Sequence, residues 1–442
     1  MMGADIKKNH MEIPWHDYAK SPGYVKIGQA ALEEKAVFIG RVGLMLLASG
    51  TGAWRVRMAM VSLAKALSIT CTVDVGLTSL QYSAFDGTTS FSQVLAIKTS
   101  AVDTRKMTSM ERFVDEFDEV GIKMSVEELH TKLDNIEAKK PRYNTLQLGL
   151  ASGFACSAFS FLLGAGWIEM LLTFLGAFVG NSMRVYMARK HISLFLDIAA
   201  SVSLASVTYA ICLKLGVFLF GISDENQAAY ICAMLFIIPG FPFLTSGIDF
   251  AKLDMRSGLE RGAYAIIIIV VATMTAWLVA DVLGLQPAGF TDRGLTEIAT
   301  VALWVACSFI GVFGFSIMFN SSFRLARIAA AIGSLCNTLR LCLVNSAGIP
   351  PAAAAFIGAF LAGILASVIK NSVGYPRISI TVPSIVIMIP GLYLYTGIFE
   401  MANLDFMMGA TWIASACLII LALPMGLIFA RLVTDPHFRK CT

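Results

Sequence analysis

The chain has 442 residues, of which 57% are hydrophobic and only 14% charged, with a formal net charge of +4. With a mean hydropathy of +0.72, this composition excludes an ordinary soluble globular protein and indicates a polytopic membrane protein. The small net charge carries no basic block, which excludes nucleic acid as a partner.

Charge is distributed unevenly: the first 143 residues hold 18 of the 34 Lys/Arg and 17 of the 30 Asp/Glu, so a charged soluble domain precedes an apolar one. The opening "MMGADIKKNHMEIPWHDYAKSPG" has lysines at Lys7 and Lys8 but no apolar run behind them. It reads as a polar leader over residues 1–23 rather than a signal peptide, and the domain after it is expected in the cytoplasm. Residues 24–143 read as an α+β module. Helices are expected over 24–49 and 53–67, strands over 69–77, 79–85 and 91–97 with a turn at Asp86-Gly87, and polar helices over 102–120 and 126–139. Ser125 with Glu128 fits a capping box at the start of the last helix. The nine cysteines are scattered with no CxxC pair, which reads as packing residues rather than a disulfide frame or a metal site, and no cofactor is expected.

From Asn144 the pattern predicts ten membrane spans, near 145–165, 167–188, 192–217, 227–248, 262–284, 297–319, 325–346, 350–369, 378–399 and 406–430. With the soluble domain inside, 13 Lys/Arg fall at inner ends and loops, among them Arg184, Arg189, Lys252, Arg256, Arg324, Arg431 and Lys440. Only Lys214, Arg293 and Arg340 fall toward the outside, while Asp224, Glu225, Asp292, Glu297 and Asp405 mark outer connections. That bias places both chain ends in the cytoplasm. The expected fold is therefore an α-helical polytopic membrane protein with a cytoplasmic N-terminal α+β domain, a first five-span module over 144–285, a second over 296–432, and a tail over 433–442. Five is odd, so the halves would form an inverted repeat. "GAFVG" at Gly176 and "GAFLAG" at Gly358 echo each other, although their spacing to the next shared motif differs.

That motif is the most informative feature of the chain. "IIPGFPFLTSGIDF" from Ile237 is echoed by "MIPGLYLYTGIFE" from Met388. Proline removes a helical donor and glycine loosens the turn, so each span is expected to break there. Broken spans at corresponding places in two halves point to a transporter binding site. Proline-kinked packing helices are the alternative.

Three stretches carry a family resemblance: "LMLLASGTGAWRVRMAMVSLAKALSI" near the start, "MLFIIPGFPFLTSGIDFAKLDMRSGLERG" at the first break, and "IPPAAAAFIGAFLAGILASVIKNSVGYPRISITVPSIVIMIPGLYLYTGI" in the second half. Together they resemble the threonine/serine exporter family from about residue 30 to the end. The resemblance implies a ten-span inner-membrane exporter of small neutral amino acids driven by an ion gradient; some two-component relatives are implicated in carboxylate efflux. Carried over by position, the matching residues are Gly50, Arg55, Val56, Pro239, Gly240, Asp249, Asp254, Gly258, Arg261, Pro390 and Gly391. Arg57 departs from the family, which usually has an acidic residue there, and this weakens any hydrolase-like role for the soluble domain.

Among polar residues, Thr245, Ser246, Tyr395 and Thr396 offer hydroxyls beside the breaks, and Asn181 an amide, for an amino-acid substrate; hydrogen-bonded glue between helices is the alternative for each. Asp197 and Asp249 are the candidate coupling carboxylates, with Asp254, Gly258 and Arg261 in the loop beyond. Arg340 suits either a carboxylate or the headgroup layer. His10, His16, His130, His191 and His437 all lie outside the spans, which argues against a histidine relay, and no GxxxxGK[ST] is present for ATP drive. The expected function is gradient-driven export of threonine and serine, with protons as the expected coupling ion, by alternating access at the paired breaks. Export of small carboxylates such as succinate, a passive channel, and a membrane enzyme with its chemistry near Asp74, Asp86 and Arg55 stand as alternatives. The expected partners are a small-molecule substrate, a proton and the lipid bilayer, with a homo-oligomer left open.

Overall fold

The computed structural model describes residues 13–97, 101–285, 290, 293–436 and 438–439. Most of the leader, Asp292, His437, Lys440 and Cys441 therefore lie outside the described residues. The chain divides into two compact units, one of residues 1–140 with 252–260, the other of residues 141–251 with 261–442.

In the first unit, α1 (Leu32–Ala48) and α2 (Ala53–Ala66) lead into strands β1 (Thr70–Val75), β2 (Ser79–Phe85) and β3 (Ser90–Ala96). They form an antiparallel sheet in the order β1-β2-β3. Helices α3 (Thr104–Asp115) and α4 (Val126–Glu137) follow. The first helix starts eight residues later than its apolar pattern predicts. Ahead of it Lys26 pairs with Ser125 as an isolated bridge and Ile27 N–H donates to Met124 O at 2.9 Å, so tertiary pairing overrides the helical period. Period-two alternation puts Leu80, Tyr82 and Ala84 of β2 into the core beside Phe38, Val42 and Leu46 of α1. In the turn between β2 and β3, hydrogen bonds from the backbone and hydroxyls of Thr89 and Thr88 hold the Asp86 carboxyl well below the usual carboxylate range. The capping box at α4 is present, with Ser125 N–H on Glu128 Oε2 at 2.9 Å and Glu128 N–H on Ser125 Oγ at 3.3 Å.

Beneath α4, Arg41 and His130 are buried at the foot of a charged knot whose carboxylates remain exposed. Arg41 donates to His130 Nδ1 and to the His130 carbonyl, both at 3.2 Å, and pairs with Asp134 and Glu137. Both His16 ring nitrogens make hydrogen bonds with carboxylates, Nδ1 with Glu127 Oε1 and Nε2 with Asp134 Oδ2, at 2.7 Å each. Burial, and then the neighbouring Arg41 charge, push the His130 pKa down to about 4, whereas hydrogen bonds to Asp134 and Glu127 raise that of His16. The signs oppose. The His16 contribution is present below its unfolded pKa and is lost as pH rises through the raised value, and it is screened because that side chain is 42% exposed. His130 is fully buried and dominates: between its ordinary value near 6.5 and about 4 the unfolded chain binds the extra proton, so stability falls with pH across that window. Lowering pH from 7 to 5 is expected to cost about 2 kcal/mol. Native-state hydrogen exchange of α4, corrected for intrinsic rates, would show it, and His130→Gln, which keeps an acceptor for Arg41 but cannot titrate, should remove most of the drop.

The second unit contains α5 (Thr145–Leu163), α6 (Trp167–Arg189) and α7 (Leu194–Phe220). A 3₁₀ helix (Ala228–Ile237) then meets α8 (Gly240–Ala251), and α9 (Met255–Leu283) closes the half, its first residues counted with the other unit. The order recurs in α10 (Glu297–Met318), α11 (Phe323–Asn345), α12 (Pro351–Val373), then α13 (Arg377–Ile385) with a 3₁₀ turn (Val386–Met388), α14 (Gly391–Ala402) and α15 (Phe406–Thr434). Among the described residues eight helices are long and apolar enough to cross a membrane, or up to ten if each bent pair is one span. In each half the second helix packs on the first, on the third and on its own broken helix, and α5 and α10 pack against each other. Gly176 lies on α6, the second helix of its half, and Gly358 on α12, the third, so those two sequence echoes do not occupy corresponding places.

Candidate functional site

In both halves the bent helix pair breaks at the same triplet, Ile238-Pro239-Gly240 and Ile389-Pro390-Gly391. The bends are 59° and 44°. Backbone hydrogen bonds around the two triplets correspond one for one. The isoleucine N–H reaches three residues back, to Leu235 O at 3.2 Å and Val386 O at 3.3 Å; the glycine N–H closes on the isoleucine carbonyl at 2.8 Å in both; and the helix restarts from the proline carbonyl with Phe243 N–H at 3.2 Å and Leu394 N–H at 3.1 Å. Proline withholds its donor at the same point in each, so both helices stop and restart alike. Carbonyls freed at such a break need a donor, and Arg184 on α6 donates from Nη1 to Phe236 O at 3.0 Å.

The two breaks pack on each other reciprocally. A Cβ at Gly391 would overlap Ile238 Cδ1 and stand 3.1 Å from Leu235, while a Cβ at Gly240 would overlap Ile389 Cδ1 and stand 2.7 Å from Val386. The isoleucine of each triplet thus occupies the space left by the glycine of the other. A closed apolar cavity of about 10 Å³ remains beside them, lined by Ile238, Pro239, Ile269, Thr273, Gly391 and Leu394. It has room for at most one water, so the breaks are shut against each other. A second tie joins the same spans: the hydroxyls of Tyr230 and Tyr395, both fully buried, share a hydrogen bond, their rings 6.0 Å apart and nearly perpendicular.

Polar side chains gather along α8. Asp249, fully buried, pairs with Arg261 Nε at 3.2 Å, and Arg261 Nη1 also reaches Thr245 Oγ1 at 3.4 Å. Thr245 in turn donates back to Phe241 O at 3.0 Å, and Ser246 is buried beside it. Asp197 sits in the first turn of α7, 7% exposed, with Ser201 Oγ donating to it at 3.4 Å and Arg184 and Tyr264 in electrostatic range. Asn181 uses its amide donor on Leu148 O at 2.9 Å, which ties α6 to α5. Thr396 is half-buried on α14.

Asp254 and Gly258 belong to the first unit. Asp254 pairs with Arg57 of α2, and burial still raises its carboxyl pKa against that charge. Arg256 reaches Asp74 Oδ2 at 2.5 Å and Ser79 Oγ at 3.0 Å, and Glu260 Oε2 accepts from Leu77 N–H at 2.5 Å. Lys252 lies 5.4 Å from the Trp54 ring centroid. Residues 252–260 are therefore fastened to α2 and the first hairpin, and Arg57, the departure from the family pattern, supplies one of the fasteners. Of the sequence candidates for an enzyme site, Asp74 and Arg55 are committed to ion pairs, Arg55 with Glu111, and Asp86 accepts hydrogen bonds from Thr88 and Thr89 of its own turn. Tyr230 and the two isoleucines carry no signal of their own as site residues, and Arg184, expected only as an inner-end charge, also serves the break. The Ile-Pro-Gly triplet itself, present in both copies, was the available signal for the isoleucines.

Long apolar helices in two sets of the same order, each with one bent helix pair broken at Ile-Pro-Gly, define a multi-pass membrane protein built on the plan of a transporter. Residues 37–283 match the family described as "Putative threonine/serine exporter", and residues 304–433 match "Threonine/Serine exporter, ThrE". The chain belongs to the threonine/serine exporter family. Membership points to a transporter rather than an enzyme, with a small-molecule substrate and a membrane setting. A relative from Mycobacterium tuberculosis, named "Probable threonine/serine exporter", is 24% identical over 421 residues, covering 90% of this chain and 75% of the relative. "Probable succinate transporter subunit YjjP" of Escherichia coli is 25% identical over 142 residues, 31% of this chain and 54% of that protein. The protein of the same name from Klebsiella aerogenes is 26% identical over 147 residues, 32% of this chain and 55% of its own length. No solved structure matches the chain.

Proposed function

We propose that the protein is a secondary active exporter of small neutral amino acids, threonine and serine foremost, driven by a proton gradient and working by alternating access at the paired breaks. The observation that carries this reading is the reciprocal seating of Ile238 on Gly391 and of Ile389 on Gly240. Two helices broken alike and closed on each other form a joint that has to part before a solute can enter. When it does, the hydroxyls of Thr245, Ser246, Tyr395 and Thr396 face a small polar substrate, and the restarted helices at Gly240 and Gly391 offer amino-terminal ends to its carboxylate. Asp197 is the preferred proton carrier, since its hydrogen bond to Ser201 leaves it open to protonation, whereas Asp249 is already paired with Arg261. Five spans per half give the second half the opposite orientation, an inverted repeat in the inner membrane with both chain ends and the α+β domain in the cytoplasm. That domain, fastened to residues 252–260, acts as a regulatory module.

A second reading, export of a small carboxylate, is favoured by the likeness to the succinate transporter subunits. Efflux of radiolabelled threonine, serine and succinate from proteoliposomes under an imposed pH gradient separates the two. The first reading expects gradient-driven threonine and serine flux that Asp197→Asn abolishes. Succinate flux alone would replace it with the second, and flux indifferent to the gradient would overturn secondary transport.

A further inference from the structure

Helices α6 and α7 pack in a fixed antiparallel register. A Cβ at Gly176 would stand 2.8 Å from Ala205 O, and one at Gly180 would stand 2.9 Å from Ser201 O, so four residues forward on α6 match four residues back on α7. One further turn brings Arg184 level with Asp197. The 3₁₀ helix before the first break follows the same seam, with Ala233 Cβ against Gly176 and the Phe236 ring against Gly180. Its next turn is the Ile-Pro-Gly break. The side chains agree with this placement, since Arg184 Nη1 donates to Phe236 O at 3.0 Å and Ser201 Oγ donates to Asp197 at 3.4 Å.

Phe236 O has lost its own donors. In a 3₁₀ helix the carbonyl of one residue takes the N–H three residues on, which here belongs to Pro239 and does not exist. The next donor along, Gly240 N–H, closes on Ile238 O at 2.8 Å instead. Arg184 replaces the missing donor, although an acidic side chain stands level with it. Its guanidinium therefore has two acceptors to choose between, and the charge on Asp197 decides. A neutral carboxyl leaves the arginine to the carbonyl, whereas an ionised one, buried in the seam, competes through a charge-assisted bond roughly twice as strong. Around Asp197, α7 packs on α6 and on the 3₁₀ helix, which has no charged side chain. The groups facing the carboxylate are Arg184 and, from α9, Tyr264.

We propose that Arg184 is a two-position switch that ties the first break to the proton on Asp197. While Asp197 holds its proton, Arg184 caps Phe236 O and keeps the break shut. When the proton leaves to water, Arg184 turns to the carboxylate, the carbonyl is freed and the joint between the two Ile-Pro-Gly breaks can part. Arg184 is a positioning residue, and the proton is carried by Asp197. Proton release thereby opens the place a solute enters, the order required of an exchange of solute for proton. This deepens the exporter reading and rests on it for Asp197 as the proton carrier, but the switch itself needs no solute.

The test is alkylation by N-ethylmaleimide of Ile389→Cys, a side chain seated against Gly240, in the full chain in detergent with the nine native cysteines removed. Each rate is divided by that of the unfolded protein at the same pH, which removes the ionisation of the thiol itself. Between about pH 5 and about pH 8 the corrected rate is expected to rise about 10-fold or more. Arg184→Gln keeps a donor for Phe236 O but has no charge to be drawn away, so its rate should stay low and flat. Asp197→Asn should give the same low, flat profile from the other side. Arg184→Met has no donor and should react about 10-fold faster or more at low pH, with melting temperature separating an opened joint from an unfolded protein. Should Arg184→Gln fail to fold, Asp197→Asn and Arg184→Met decide, since the first must be slow and the second fast. A flat profile in the parent, a rising one kept in Arg184→Gln or Asp197→Asn, or a slow Arg184→Met would each overturn the switch. Gradient-driven threonine flux in proteoliposomes beside a flat parent profile would overturn the switch and leave the exporter reading standing. A rising profile, flattened in both neutral variants, in a protein that carries none of threonine, serine and succinate would support the switch and remove the exporter reading.

Discussion

Gly391→Leu is expected to stop transport, and so is Gly240→Leu, because in each case the new side chain enters space already filled by the isoleucine of the other break. Overpacking of this kind costs about 3 kcal/mol, a factor of roughly 150 in the population of the closed joint. The pairing makes a sharper expectation at smaller size. The atom that a Cβ at Gly391 would overlap is Ile238 Cδ1, the one carbon that separates isoleucine from valine there. Gly391→Ala should therefore be rescued by Ile238→Val, and Gly240→Ala only in part by Ile389→Val, because Val386 still stands 2.7 Å from the new Cβ, while the crossed combinations should not be rescued. Melting temperature and flux of the four single and four double variants read this directly. Equal rescue by either valine would mean that general loosening, not seating across the breaks, sets the effect.

The second large effect is expected at Asp249 and Arg261, which are 0% and 3% exposed and 3.2 Å apart. Burying two charges gains little overall, but removing one leaves the other without its counter-charge, at a cost of about 3–5 kcal/mol. Asp249→Asn and Arg261→Gln should each lower stability by that order, and the double variant should recover most of it. Flux in the double variant then tells what the pair does. Restored stability with gradient-driven flux intact makes the pair structural and leaves proton coupling to Asp197. Restored stability with flux uncoupled from the gradient makes Asp249 the coupling carboxylate.

The parts of this molecule that were legible in the sequence are those with a local physical cause. Apolar runs of membrane length gave the spans, β-rich runs with the Asp86-Gly87 turn gave β1, β2 and β3, and Ser125 with Glu128 gave a helix start. Pro-Gly marked both breaks, since a missing donor acts where it stands. What stayed hidden depends on residues distant in the chain. Ile238 meets Gly391, and Tyr230 meets Tyr395, across more than 150 positions, and no periodicity reports such a contact. The same holds for Arg184, whose value lies in a carbonyl that only the break sets free. Asn181 illustrates the reverse: an amide expected at the binding site is used between α5 and α6. Arg57 breaks the family pattern and acquires a reason once Asp254 is seen beside it. The echo between Gly176 and Gly358 shows how small-residue strings recur wherever membrane helices pack closely, without marking equivalent helices.

The central claim is that the two Ile-Pro-Gly breaks part and close in every transport cycle. Its most direct test is a reversible tie across them: Ile238→Cys with Gly391→Cys, in a background from which the nine native cysteines have been removed. Exchange of whichever labelled solute the parent protein carries would be followed in proteoliposomes before and after oxidation. Exchange is expected to proceed in the reduced protein, to stop when the disulfide forms and to return on reduction. Exchange that continues at the same rate with the breaks covalently tied would contradict it.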